Sequence, residues 1–236
     1  MRHLQRELDR LKRNVLGLSA LVEETLREAF RAIEQRDACA ARDVIIRDML
    51  IDQREVDVEE ECLKILALYQ PVAGDLRFVA AVIKINSELE RIGDLASNIA
   101  ERAMQLADGP AVPIPPQLPV MAERVQVILE KALDALVRQD AVRARLVLAA
   151  DDEIDEMYRE LLDELKDELR EDLDHLDAVV LLFSVARYLE RLADHATNIG
   201  EDVLYMVEGE IHRHQAPDSP AALLGTRCED ERFAGD

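Results

Sequence analysis

The residues best placed to do chemistry are carboxylates set four apart. Glu90 and Asp94 lie in Glu90-Arg91-Ile92-Gly93-Asp94-Leu95-Ala96-Ser97-Asn98-Ile99-Ala100-Glu101. One hundred residues later comes Glu190-Arg191-Leu192-Ala193-Asp194-His195-Ala196-Thr197-Asn198-Ile199-Gly200-Glu201. A second kind of pair is Asp48 with Asp52, matched by Asp151 with Asp155. On a helix, residues four apart are separated by about 6 Å along the axis, so their carboxylates can converge on one ion. Two helices that each bring such a pair offer roughly the four to six oxygens that a hard cation takes. Iron, manganese, magnesium and calcium fit an all-oxygen set, and zinc, which also accepts carboxylates, stays open. Asn98, Glu101, Asn198 and Glu201 are weaker additions on the same helical face.

An isolated acid pair on a helix is usually a solvated surface. Two features weigh against that here. The pairs are duplicated, and apolar residues flank Asp48 and Asp52: Ile51, Val58 and Tyr69 on one side, Ile45, Val56 and Leu63 on the other. With Asp48 at 0° and about 100° per residue, Asp52, Glu55 and Glu59 fall within about 40° of it. Like charges at this spacing cost about 0.2–0.5 kcal/mol per pair when exposed. They also lack lysine neighbours, which calls for a cation, with Arg91 and Arg191 as partial neutralisers. His195 lies off the carboxylate face and reads as a surface or core-edge histidine.

The elements that must carry these groups are long helices. Leu4, Leu8, Leu11, Val15, Leu18 and Val22 step by four and three, the seam of an amphipathic helix over about 1–35. Asp37 is a candidate N-cap for a second, ending near Tyr69 because Pro71 disfavours helix at Gln70. Gly74-Asp75 opens a third, reaching about Leu106. Residues 108–119 hold five of the eight prolines and form a linker. A fourth helix follows, then a fifth over about 141–170 and a sixth over about 176–213. The expected fold is all-α: two tandem, pseudo-symmetric three-helix bundles at 1–107 and 120–213, with a disordered tail at 214–236.

Composition sets the rest. A net charge of −21 argues against nucleic acid and for cations or basic partner surfaces. Three scattered cysteines, Cys39, Cys62 and Cys228, suggest a reducing compartment. The charged N-terminus and the lack of a long apolar run predict a cytoplasmic protein without a membrane span. With no glycine-rich phosphate loop and no nucleophile–base set, no enzyme is expected.

Gln70-Pro71-Val72-Ala73-Gly74-Asp75-Leu76-Arg77-Phe78, taken with Leu89-Glu90-Arg91-Ile92-Gly93-Asp94 and Asn98-Ile99-Ala100-Glu101, resembles the PhoU family of phosphate-system regulators. The resemblance covers about residues 5–213, duplication and linker included. It implies a homodimeric negative regulator of high-affinity phosphate uptake and of its two-component signalling. It further implies adaptor contacts with the ATPase subunit of the phosphate transporter (PstB-like) and the sensor histidine kinase (PhoR-like), and membrane association only through them. Multinuclear metal clusters, iron foremost, are implied at Asp48/Asp52, Glu90/Asp94, Asp151/Asp155 and Glu190/Asp194, with Asp202 a weaker addition. Ala193 stands where the family usually has glycine. Two alternatives differ in class: a ferritin-like di-metal oxidase or metal-storage protein, which needs Glu-x-x-His pairs, and a metal-free helical scaffold.

Overall fold

The computed structural model describes residues 2–110 and 112–210. The expected tail at 214–236, with Cys228, lies outside them. The first half is three long helices, α1 (Arg2–Gln35), α2 (Ala38–Tyr69) and α3 (Ala73–Asp108). The second is α4 (Gln117–Arg138), α5 (Ala141–Leu148), α6 (Asp151–Glu171) and α7 (Leu176–Glu208), with a 3-10 turn at Leu173–His175. The two-bundle, all-helical architecture is as expected. The difference is that the fifth predicted helix is broken into α5 and α6 at Ala149–Ala150.

The seam of α1 is buried along its length, from Leu8, Leu11 and Val15 through Leu18 and Val22 to Ile33. Burial of each such side chain stabilises the fold by about 1.5–3 kcal/mol. Chain reversals are made by local chemistry. The Asp37 carboxylate accepts from the Cys39 and Ala40 amides at 2.9 and 3.0 Å, and Asp140 does the same for Val142 and Arg143. Gln70 ends α2 in the left-handed region (φ 46°), its amide donating to the Leu66 carbonyl. Helix α3 opens one residue earlier than the Gly74-Asp75 signal suggests, on Val72, and Asp75 sits in its first turn. Helix α7 ends at Glu208 rather than near 213, because Gly209 at φ 80° closes it with an amide bond to the Tyr205 carbonyl.

The linker is shorter than 108–119, since α4 begins at Gln117 and contains Pro119. A proline in the first turn removes only an amide that has no helical partner. Arg36 pins the linker: its guanidinium donates to the carbonyls of Leu106, Pro110 and Val112. At the centre of the molecule, α3 packs on α1, α2 and α7, while α7 packs on α3, α4, α5 and α6. Gly200 permits the approach of α5, because a Cβ there would lie 2.8 Å from Leu148 Cδ1. The two acid-bearing repeats are thus the central helices of their bundles.

Candidate functional site

Helices α2 and α3 lie side by side, and Gly93 sets how close they come. A Cβ at Gly93 would meet Ile51 at 3.0 and 3.1 Å and Asp48 Oδ1 at 3.2 Å. This contact carries Asp48 against α3 opposite Asp94. Asp48, Asp52 and Asp94 each offer an oxygen, and all three oxygens lie within 4.8 Å of one another. Ligand oxygens opposed across a hard cation at about 2.0–2.6 Å are about 4–5 Å apart. The three therefore fit around one ion.

The groove is neutralised only in part, Arg91 lowering Glu90 by less than burial and the neighbouring acids raise it. Burial, then Asp94 and Asp52, push the Asp48 carboxyl up from 3.8 to about 6, and the Ser97 hydroxyl offsets this only partly. Asp48 Oδ1 is buried and has no hydrogen-bond partner, which is costly for a carboxylate oxygen. Glu90 is raised by burial and then by Asp94, Asp52 and Glu55, and Asp94 by burial and then by Asp52. Among the described residues, no Lys or Arg ion pair within 4 Å is made by Asp48, Asp52, Glu55, Glu59, Glu90 or Asp94. Donor chemistry, spacing and the orphaned Asp48 oxygen all suit a hard cation.

Glu55 also belongs to the groove, on the helical stripe of Asp48, a site residue that the four-residue pairing of acids does not mark. Fully buried Asn86 donates from Nδ2 to the Glu55 backbone carbonyl at 2.9 Å and to its carboxylate at 2.8 Å. Burial, then Glu59 and Asp52, raise Glu55 even so. The apolar flank of the acid stripe is one-sided. Ile51 and Val58 are buried, whereas Val56 is 46% and Leu63 55% exposed.

The second set is close enough to interact but does not converge in the same way. Asp151 is raised by burial and then by Asp194 and Asp155, and Asp194 by burial and then Glu190. Glu190 is raised by burial and then Asp155. Among the described residues, the first set alone brings three ligand oxygens within 4.8 Å. The break at Ala149–Ala150 puts Asp151 in the first turn of α6, where the helix dipole compensates its charge. Arg159 also stands 3.8 Å from Asp155.

The weaker candidates separate. Asn198 and Asp202 turn away from the acid stripe into the α3–α7 contact. Asn198 Nδ2 donates to Glu88 at 3.2 Å, and Asp202, almost wholly buried, accepts from Lys84 Nζ at 3.2 Å. Asn98 and Glu201 are half-buried and Glu101 is exposed; neither glutamate is among the converging oxygens. His195, expected at the surface or core edge, is 8% exposed, with Nδ1 2.7 Å from Glu88 Oε2. Burial raises Glu88, but hydrogen bonds from His195 and Asn198 outweigh it and hold the carboxyl below its usual range. The imidazole beside the acid motif thus ties the repeats together, unlike the Glu-x-x-His ligand of a ferritin-like centre.

The PhoU domain family matches residues 15–103 and 118–203, one copy in each half. The phosphate-specific transport system accessory protein PhoU homolog of Aquifex aeolicus is 41% identical over 214 residues, 90% of this chain and 96% of that protein. The phosphate-specific transport system accessory protein PhoU of Escherichia coli is 31% identical over 95% of this chain and 93% of its own length. The crystal structure of PhoU from Pseudomonas aeruginosa superposes with a TM-score of 0.83 at 37% identity, covering 87% of this chain and 99% of that one. That of the phosphate transport system regulatory protein PhoU from Streptococcus pneumoniae gives 0.81 at 32% identity, over 88% and 98%. With both halves matched and the helical layout shared over most of its length, the chain belongs to the PhoU family.

Proposed function

We propose that the protein is a non-catalytic adaptor that represses phosphate uptake and phosphate-responsive two-component signalling when phosphate is plentiful. The observation that carries this reading is the double PhoU domain, with relatives over nearly the whole chain that are named accessory proteins of phosphate-specific transport. The adaptor works in the cytoplasm as a homodimer, against the transporter ATPase subunit and the sensor histidine kinase. It meets the membrane only through them. Its output is a population shift in those partners, which requires that it bind one of their states more tightly than the other. Among the described residues, no helix is long and apolar enough to cross a membrane.

Asp48, Asp52 and Asp94, with Glu90 beside them, hold a hard divalent or trivalent cation in this reading, iron as first choice. The bound cation supplies positive charge to a groove that the chain's own basic residues neutralise only in part, and it fixes α2 against α3. Asp151, Asp155, Glu190 and Asp194 form the second, looser site. The regulatory claim is tested by deleting the gene and measuring phosphate-responsive transcription in high phosphate. Derepression is expected, and unchanged expression contradicts the reading.

A further inference from the structure

The acid stripe of α2 does not stand alone. Met49, Val56 and Leu63 follow one another at seven-residue spacing and are 73%, 46% and 55% exposed. With Asp48 at 0°, they fall at about 100°, 80° and 60°, on the flank beside Asp52 and Glu59 at about 40° and 20°. Along the chain, Met49, Asp52, Val56, Glu59 and Leu63 step by three and four. This is the seam register of a coiled coil, with apolar side chains at one seam position and carboxylates at the other. The seam runs for about 21 Å, some four turns. Single exposed apolar residues need no explanation. A periodic row of them beside unpaired acids is a patch with a direction.

The duplication supplies a control within the same molecule. At the matching positions of α6, Met49, Val56 and Leu63 are replaced by Asp152, Arg159 and Lys166, all exposed, and Glu59 by the half-buried Leu162. Arg159 lies 3.8 Å from Asp155, and Lys166 pairs with Asp163 at 2.8 Å. The second half has closed this flank with its own charges. The first half has left it apolar and acidic.

We propose that this flank of α2 is a docking seam for one basic amphipathic helix of a partner protein. The partner's apolar residues would interdigitate with Met49, Val56 and Leu63 while its Lys or Arg side chains meet Glu59 and the oxygen of exposed Asp52 that is not among the three converging on the cation. A helix laid into such a row is an established way of recognising a peptide. Charge selects the occupant. A second copy of this chain, at −21, would bring the same acidic strip, and an anionic membrane would be repelled. The chain's own segment 211–236 carries Arg213, Arg227 and Arg232 against Asp218, Glu229, Asp230, Glu231 and Asp236, and is net acidic. The inference rests on the adaptor reading and names the surface and partner chemistry it uses.

The test titrates full-length protein with a synthetic leucine/lysine heptad peptide and, as control, its leucine/glutamate counterpart. Three proteins are compared: the native chain, Met49→Asp/Val56→Arg/Leu63→Lys, and Asp152→Met/Arg159→Val/Leu162→Glu/Lys166→Leu, in which Leu162→Glu restores the acid that stands at Glu59 in the first half. Each variant gives one half the residues that the other half already carries at exposed positions, and circular dichroism checks that both fold. The native chain should bind one lysine peptide, the first variant should bind it at least tenfold more weakly, and the second should bind two. The glutamate peptide should not bind. Two peptides on the native chain, or first-variant binding within threefold of native, would show that acid alone attracts the peptide and would overturn the seam. If the first variant fails to fold, the second decides: a stoichiometry that stays at one overturns the proposal. Failure here together with derepression on deletion removes the seam and leaves the regulator. Seam binding without derepression removes the regulator instead.

Discussion

Asp48 is no ordinary surface acid. Its carboxyl is raised to about 6 by burial and by Asp94 and Asp52. An acid that holds its proton more tightly folded than unfolded favours folding at low pH. Its contribution is therefore lost as pH climbs from about 3.8 to about 6. Asp48→Asn removes that penalty. In chelator, the variant should melt above the native protein at pH 7.5, and its advantage should shrink at pH 5; an equal difference at both values contradicts the assignment. Asp48 was legible from its helical angle and duplicated spacing. Glu55 was legible too, on the same stripe, but its buried partner Asn86 was not, because spacing along one helix does not tell which neighbour supplies an amide.

At the scale of elements, the α3–α7 contact holds the two halves together through Glu88, His195 and Asn198 at one point and Lys84 and Asp202 at another. Glu88→Ala leaves a buried imidazole and amide without their acceptor, so it should cost about 1–3 kcal/mol. Arg27→Ala, which removes an exposed ion pair, should cost under about 1 kcal/mol. Urea titrations of both variants check the contrast, and equal losses would mean that Glu88 is an ordinary surface acid. The long helices were readable because Leu8 to Val22 keep their period and Asp37 and Pro71 mark the ends. The break at Ala149–Ala150 was not readable, since Leu146-Val147-Leu148-Ala149-Ala150 contains no glycine or proline to announce it. The role of Asn198 is hidden in the sequence for a related reason. A helical wheel gives a face, and the face of α7 that carries Asn198 also meets α3.

Over the whole molecule, duplication has preserved the acids and let their settings diverge. In the first half Asp48, mid-helix and pressed on Gly93, converges with Asp52 and Asp94. In the second, Ala193 stands in place of that glycine, Asp151 opens a helix, and Arg159 approaches Asp155. Matching residue types treats the two acid sets alike, whereas their settings differ by a backbone break, by Arg159 near Asp155 and by Arg187 and Arg191 near Glu190. The central claim is a tight cation site in the first half alone. It is tested most directly by titrating chelator-stripped protein with Mn²⁺ and comparing Asp48→Asn/Asp94→Asn with Asp151→Asn/Asp194→Asn. One tight ion per native chain, lost in the first variant and kept in the second, is the predicted result. Two equal sites, or a tight site that survives in the first variant, would contradict it.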